Sequence, residues 1–396
     1  MKRLLFIAVL VFVCIHNVMS HNIQGIVFDE NNKPMVGATV YLDGTSIGTL
    51  TTVNGTYNIE VKDVINTSLI ISCLGYKPVV IQKPFENNNS NIHLTPKVTV
   101  INEVEVKGDR FTRKSKLKLF REQFLGTTKA GRQCRIMNED DIQFRYDLTT
   151  NTLYAWANNP LVIKNSYTGY EVTFSITEFY AKFFQRSIFS ADVSEMLYLG
   201  MSYFKDLSEG KASFSRKRER VYQGSSTHFF LSLVNSKLNE NRFIFFNGSV
   251  PADPKKYFVI TDTTDLKKVV VKLNYEMPDT NLMKGITFSQ HRPDSTVFNN
   301  KVTRFAKRDS TINNRASEVP ANKESNGFKF PDIKFRSTFN ILYRRNRQSQ
   351  VVFNINTFYV DKYGNYTDID KIIFGGDLGE SRLGNLLPLD YSKTNK

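Results

Sequence analysis

Residues 25–81 read GIVFDENNKPMVGATVYLDGTSIGTLTTVNGTYNIEVKDVINTSLIISCLGYKPVVI. From Asn22 to Leu94, around this core, short apolar alternations are separated by turn clusters: 23–28, then Asn31-Asn32-Lys33-Pro34, then 38–42, then Asp43-Gly44. A period of two with such punctuation predicts strands, not helices. Asn54-Gly55 lies between 49–53 and 57–61, where a tight hairpin needs two residues that tolerate positive φ. Leu69, Ile71 and Cys73 point one way along the next strand, Gly75-Tyr76 turns the chain toward 79–81, and 92–94 is the candidate closing strand. About seven short strands in so short a span predict a β-sandwich.

Gly25, Val27, Asp29, Pro34, Gly37-Ala38, Val40, Gly48-Thr49, Asn54-Gly55, Tyr57 and Gly75-Tyr76 together resemble the carboxypeptidase regulatory-like domain. The resemblance covers about a fifth of the chain and implies a seven-stranded Greek-key sandwich, transthyretin-like, within the carbohydrate-binding-like fold group. Such domains stand at the N-terminus of envelope proteins of Bacteroidota. Val53 departs from the pattern where the family usually has an Asp, so any polar contact of that Asp is missing here. Read from the residues alone, these Gly, Pro and Asn positions are turn formers.

Residues 1–20 open with Lys2-Arg3, run apolar from 4 to 15 and end in Val18-Met19-Ser20, the pattern of a secretory signal cleaved between Ser20 and His21. A lipoprotein reading would use Cys14, but Phe12-Val13 before it are too bulky. No later stretch offers the roughly 20 apolar residues of a membrane helix, so any membrane association is expected to be peripheral. The expected location is the periplasm or the outer-membrane surface of a Gram-negative bacterium. Removing Lys2 and Arg3 takes the formal charge from +15 to +13. That balance favours an anionic glycan or an envelope protein as partner, and export makes nucleic acid the least expected. Cys73 and Cys134 remain after cleavage and are too far apart in sequence to be paired without geometry.

The segment 98–112 keeps valines at alternate places and is similar to the linker after the same sandwich in TonB-dependent receptors. A receptor barrel of that class needs about 22 strands of about ten residues, and fewer than 290 residues follow Arg110. The chain is therefore not expected to be a complete receptor. Residues 113–125 predict an amphipathic helix carrying Leu117, Phe120 and Phe124 on one face and stopped by Gly126. Strands are predicted at 142–146, 152–157, 161–164 and 170–174, and later at 243–246, 257–261, 269–273, 286–288, 335–343 and 351–359. The longest helix is expected at 215–238, kinked or divided at Gly224-Ser225. Residues 309–327 are polar and predict an exposed loop, and 375–387 a glycine-containing tail. Residues 113–396 thus read as a larger α+β domain in a mainly β chain. Phe124-Leu125-Gly126, Cys134, Asn138, Tyr146-Asp147, Asn165, Gly169-Tyr170, Tyr222, Gly224-Ser225, His228-Phe229, Arg382, Leu386-Leu387-Pro388 and Tyr391 are similar to the body of uncharacterised Bacteroidota proteins that carry one such sandwich. That resemblance implies no activity.

Catalytic motifs are sparse. A zinc carboxypeptidase needs His-x-x-Glu and a distant His, and none of His21, His93, His228 and His291 supplies it. Gly224-Ser225-Ser226-Thr227-His228 lacks the last glycine of a nucleophile elbow. Cys134 with His228 is conceivable as a thiol pair only if the fold joins them. Gly375-Gly376-Asp377-Leu378-Gly379 reads as a turn without strand–helix context, and Asp140-Asp141 or Glu318 with Glu324 as solvated charge. No catalytic, metal or cofactor residue is assigned. The expected function is that of an exported, non-enzymatic envelope protein with a binding or docking role toward a glycan, peptide or envelope partner. The alternatives are an accessory of a TonB-dependent uptake system and a hydrolase whose site is assembled from scattered residues. Three basic clusters, 113–118, 216–220 and 344–347, either converge on one face or merely solvate it.

Overall fold

The computed structural model describes residues 21–62, 64–86, 90–97, 109–274 and 335–392. The signal segment expected at 1–20, the bridging segment up to 108, the strand expected at 286–288, the loop expected at 309–327, His291, Glu318 and Glu324 lie outside the described residues. The chain divides into two units, Met1–Asn102 and Glu103–Lys396.

In the first unit, β1 (His21–Phe28) lies between β4 (Thr56–Val61), antiparallel, and β7 (Ser90–His93), parallel. The second sheet has the order β3 (Gly48–Leu50), β2 (Thr39–Leu42), β5 (Leu69–Ser72), β6 (Val79–Ile81). Alternate residues of both sheets, among them Ile23, Val27, Val40, Leu42, Tyr57, Ile59, Leu69 and Ile71, form one buried core. Cys73 packs against that core, as its place in the alternation predicts. Asp29 organises the first turn: its Oδ1 accepts from the N–H groups of Asn31 and Lys33, both at 2.8 Å. This is the short-range competition with ladder bonding that makes Asp a turn residue.

The Asn54-Gly55 hairpin is a correction. The turn exists, with Gly55 N–H donating to Thr52 O at 2.9 Å, but β3 and β4 belong to opposite sheets. Gly55 is needed for a second reason that a hairpin would not supply. At φ +71° it sits against β1, and an added Cβ would lie 2.6 Å from Val27 O. The turn thus carries the chain from one layer to the other.

The second unit contains two cores. In the first, β12 (Tyr170–Phe183) and β13 (Val193–Asp206) make a long antiparallel hairpin. The other edge of β12 is shared by β11 (Leu161–Asn165) near its start and β10 (Thr152–Ala157) near its end. β8 (Cys134–Ile136) pairs β11, and β9 (Ile142–Asp147) pairs β10. Helix α1 (Arg113–Phe124) is capped by Thr112, whose Oγ1 accepts from Ser115 N–H at 3.2 Å. It buries Leu119, Phe120 and Phe124, and Leu117 packs at the margin. Each such phenylalanine contributes roughly 1.5–3 kcal/mol when fully buried. Gly126, at φ +90°, ends the helix run as expected.

β13 was not anticipated, and β12 runs nine residues past its expected end at 174. β13 is half-buried on both faces over most of its length and so lacks the clean alternation of a strand with one wet side, whereas β12 alternates except at 176–178.

In the second core, β15 (Val250–Pro251), β14 (Phe243–Asn247), β18 (Ser337–Tyr343), β19 (Arg347–Phe353) and β21 (Ile372–Gly375) form one sheet. β16 (Phe258–Asp262), β17 (Lys267–Val271) and β20 (Thr357–Val360) form another. The single strand expected at 351–359 is therefore two strands in different sheets. The expected long helix is α2 (Ala212–Tyr222) and α3 (Ser226–Val234). Gly224 divides them at φ +81°, with an added Cβ meeting Tyr343 and Arg347 under 3 Å. Ser225 then caps α3, its Oγ accepting from His228 N–H at 3.1 Å. Phe229, Phe230, Leu233 and Val234 bury against the two sheets, and Leu238 joins them beyond the helix.

The C-terminal stretch ties the two cores together. Leu378, on the single-turn helix α4 (Gly376–Gly379), packs into the second, while Leu383 packs into the first. Gly384 lies backbone to backbone on Gly131, 2.4 Å from an added Cβ to Gly131 Cα. Asn165 Nδ2 donates to Gly384 O at 3.0 Å.

Candidate functional site

The residues that suggested catalysis are placed by the fold in structural roles. Cys134 opens β8, and its thiol donates to Ala130 O at 3.5 Å. Burial pushes that thiol up to about 12, so it stays protonated and unreactive at neutral pH. His228 packs against the rings of Tyr222, Phe243 and Tyr343, with centroids 4.9, 5.0 and 6.0 Å away. Its Nδ1 accepts from Gly224 N–H at 3.0 Å. Cys134 and His228 sit on different cores, and no thiol–imidazole pair forms. Cys73 and Cys134 are both free thiols.

Asp140 and Asp141 belong to a 3-10 turn, Glu139–Asp141. Asp141 Oδ2 accepts from Asn138 Nδ2 at 2.9 Å, and Asp140 O from Arg113 at 3.3 Å. They hold a corner of the first core through the Asp141 carboxylate and the Asp140 backbone carbonyl. The glycine run 375–379 does stand in a strand–helix context, contrary to expectation, since α4 follows β21 directly. Its backbone is occupied: Leu378 N–H donates to Ser349 Oγ at 3.0 Å, and an added Cβ on Gly376 would lie 2.4 Å from Gln348 O. Among the described residues no group of three or more His, Cys, Asp or Glu is arranged to hold a metal ion.

The third basic cluster reaches the end of the helix that carries the second. On α2, Arg218 turns inward: its Nη1 and Nη2 donate to Asp206 at 2.8 and 2.7 Å, and its Nε to Thr168 O at 2.7 Å. The same guanidinium lies 3.8 Å over the Tyr170 ring. Arg216 and Arg220 are exposed, one turn apart, on a row that continues to Gln223. There the third cluster arrives. Arg344 bonds the Gln223 side chain, while Arg347 Nη1 donates to Gln223 O at 2.9 Å and its Nε to Asp377 at 2.7 Å.

Arg242 joins this corner through the pairing of β14 with β18, where Phe243 is opposite Tyr343 and Arg344 N–H donates to Arg242 O at 3.0 Å. Arg242, Arg344 and Arg345 are all exposed, with φ of 65°, 49° and 63°. The left-handed region costs a non-glycine residue about 1–2 kcal/mol, and a turn with two such positions ordinarily takes Asn-Gly. Arginine is held here against local preference. Arg216, Arg220, Arg242, Arg344 and Arg345 are exposed, while of the carboxylates at this corner Glu219 accepts from Gln223 Nε2 at 2.7 Å and Asp377 pairs with Arg347.

The first cluster is engaged locally. Arg113 donates to Ile142 O at 2.8 Å, Lys116 pairs with Asp109 at 2.6 Å, and Lys118 faces Glu122 at 4.0 Å. Sequence reasoning missed Arg242 and Gln223, the one a lone basic residue and the other uncharged. Only the strand pairing reveals that residue 242 neighbours 344.

In the first unit, the seven strands, their two-sheet order and the Asn54-Gly55 crossover are accompanied by a match of residues 23–106 to the family model of the CarboxypepD_reg-like domain. Residues 23–106 are a CarboxypepD_reg-like domain. The CarboxypepD_reg-like domain is a sandwich of non-catalytic type, and its Val53 stands 78% exposed at the turn before Asn54-Gly55. No curated protein matches the chain.

Proposed function

We propose that this is an exported, non-enzymatic envelope protein whose second unit binds an anionic envelope component, a phosphate-bearing glycolipid of the lipopolysaccharide class, at the arginine corner around Gln223. The observation that carries the reading is that Arg344 and Arg347 of the third basic cluster bond Gln223, at the end of the helix bearing the second, with Arg242 beside them. Arginine suits phosphate because its planar fork gives two parallel hydrogen bonds. The unreactive Cys134 thiol and the packed His228 ring count against the hydrolase alternative.

The test is binding of the full chain to lipopolysaccharide vesicles over a salt series. Arg344→Asn with Arg345→Gly removes two charges and installs the residues such a turn prefers, so weaker binding is not confounded by poorer folding. At about 1 kcal/mol per basic residue near an anionic surface, the double variant should bind at least tenfold more weakly at low salt, with a flatter salt dependence. Neutralising Lys114 and Lys118 on α1 should matter far less. Equal losses from both pairs would reduce the attraction to diffuse net charge, and absence of binding at low salt refutes the proposal.

The export part of the proposal has its own readout. The intact mass of the exported protein should correspond to a chain beginning at His21. A retained leader, or a diacylglyceryl group on Cys14, contradicts it.

A further inference from the structure

β13 is fourteen residues long and pairs β12 along one edge, while no strand pairs its other edge among the described residues. Alternate residues of such an edge direct N–H and C=O groups outward, and natural proteins blunt long edges with charge, proline or cover. Here residues 196–204 read MLYLGMSYF, without a charge or a proline. Charge stands only beside that run, as Glu195 before it and Lys205 and Asp206 after it.

We infer that β13 pairs antiparallel with β13 of a second copy, about a two-fold axis at Gly200. In this register Glu195 stands opposite Lys205 of the second copy, and Lys205 opposite its Glu195. Met196 meets Phe204, Leu197 meets Tyr203, Tyr198 meets Ser202 and Leu199 meets Met201. Sliding the copies by two residues either way puts both charges opposite uncharged residues, and an odd slip puts them on opposite faces.

The charges already form an alternating row within one chain, and the second copy extends it. Lys164 lies opposite Glu171 with their charged atoms 3.7 Å apart, and Glu171 lies opposite Lys205. Glu195 of the second copy then follows Lys205, and Lys182, its opposite number on β12, comes next. Each charge in that row is flanked by the opposite sign. Gly200 suits the centre because its backbone presses on β12, an added Cβ lying 2.2 Å from Ser175 O.

Sedimentation equilibrium of the full chain tests the pairing. The wild type should be a dimer. Glu195→Lys alone and Lys205→Glu alone each create two like-charge pairs per dimer by symmetry and should weaken association about tenfold. The combined variant, Glu195→Lys with Lys205→Glu, should recover the wild-type dimer. Within the chain each single disturbs one site, Glu195 with Lys182 and Tyr180 or Lys205 with Glu171, and the double disturbs both, so recovery in the double reports the contact between copies and not folding. A monomeric wild type, single variants that dimerise unchanged, or a double no better than the singles overturns the inference.

Discussion

Phe230→Ala should destabilise the second unit by about 3–5 kcal/mol, the range for emptying a large aromatic site in a packed core. The Phe230 side chain is fully buried on α3 and touches five rings: Phe229, Phe353, Phe358, Tyr366 and Phe374, with the Tyr366 centroid at 4.5 Å. These partners come from α3 itself, from both sheets of the second core and from the segment after β20. Collapse around the void would have to move all of them together, so the cavity persists and its cost adds to the lost transfer energy. In urea unfolding the midpoint should fall while the slope stays constant. Ile369→Ala, at a residue 59% exposed, should change stability by less than about 0.5 kcal/mol. Equal effects from the two substitutions would show that the second core is not packed as described.

Arg218→Met should cost about 2–3 kcal/mol, because the shape of the side chain is largely kept while its hydrogen bonds to a carboxylate and to buried carbonyls are lost. The value stays below that for a fully buried pair, since the Asp206 side chain is 46% exposed and partly screened. Acidification supplies the independent check. Arg218 holds the Asp206 carboxyl down at about 2, below the roughly 3.9 of an unfolded chain. A depressed folded value means that the contribution is complete above pH ~4 and is lost as pH falls through ~2. The stability difference between wild type and Arg218→Met should therefore narrow over that window. A constant difference from pH 7 to 2 would mean that Arg218 acts through packing on Tyr170 and the carbonyl of Thr168 alone.

The two units were legible to different degrees. In residues 21–97 every expected strand appears within a few residues of its place, because each strand has one face in a shared core and strong turn residues at both ends. The error at Asn54-Gly55 concerned pairing. Residue types specify a turn, but whether its two strands enter one sheet or two depends on the contact with Val27 on β1.

In the second unit the local elements were also mostly legible, including α1 and the break at Gly224. Partnership was not. Residues 351–359, VVFNINTFY, hold no Gly or Pro to mark a break, yet Phe353 ends a strand of one sheet and Phe358 lies in a strand of the other. Their rings still stack at 5.6 Å, so the hydrophobic demand is met across the turn between them.

The arginine corner divides in the same way. The sequence alone determined that 216–220 and 344–347 are basic, that Gly224 interrupts a helix and that Cys134 and His228 lack a motif around them. Only the tertiary structure decided that Arg218 turns inward to Asp206, that Arg344 and Arg347 meet at Gln223, and that Arg242 lies beside them. The physical reason is range. Turn preference and side-chain alternation act over a few residues, whereas the meeting of 223 with 344 depends on helix packing and on the register of β14 against β18, which no short stretch encodes.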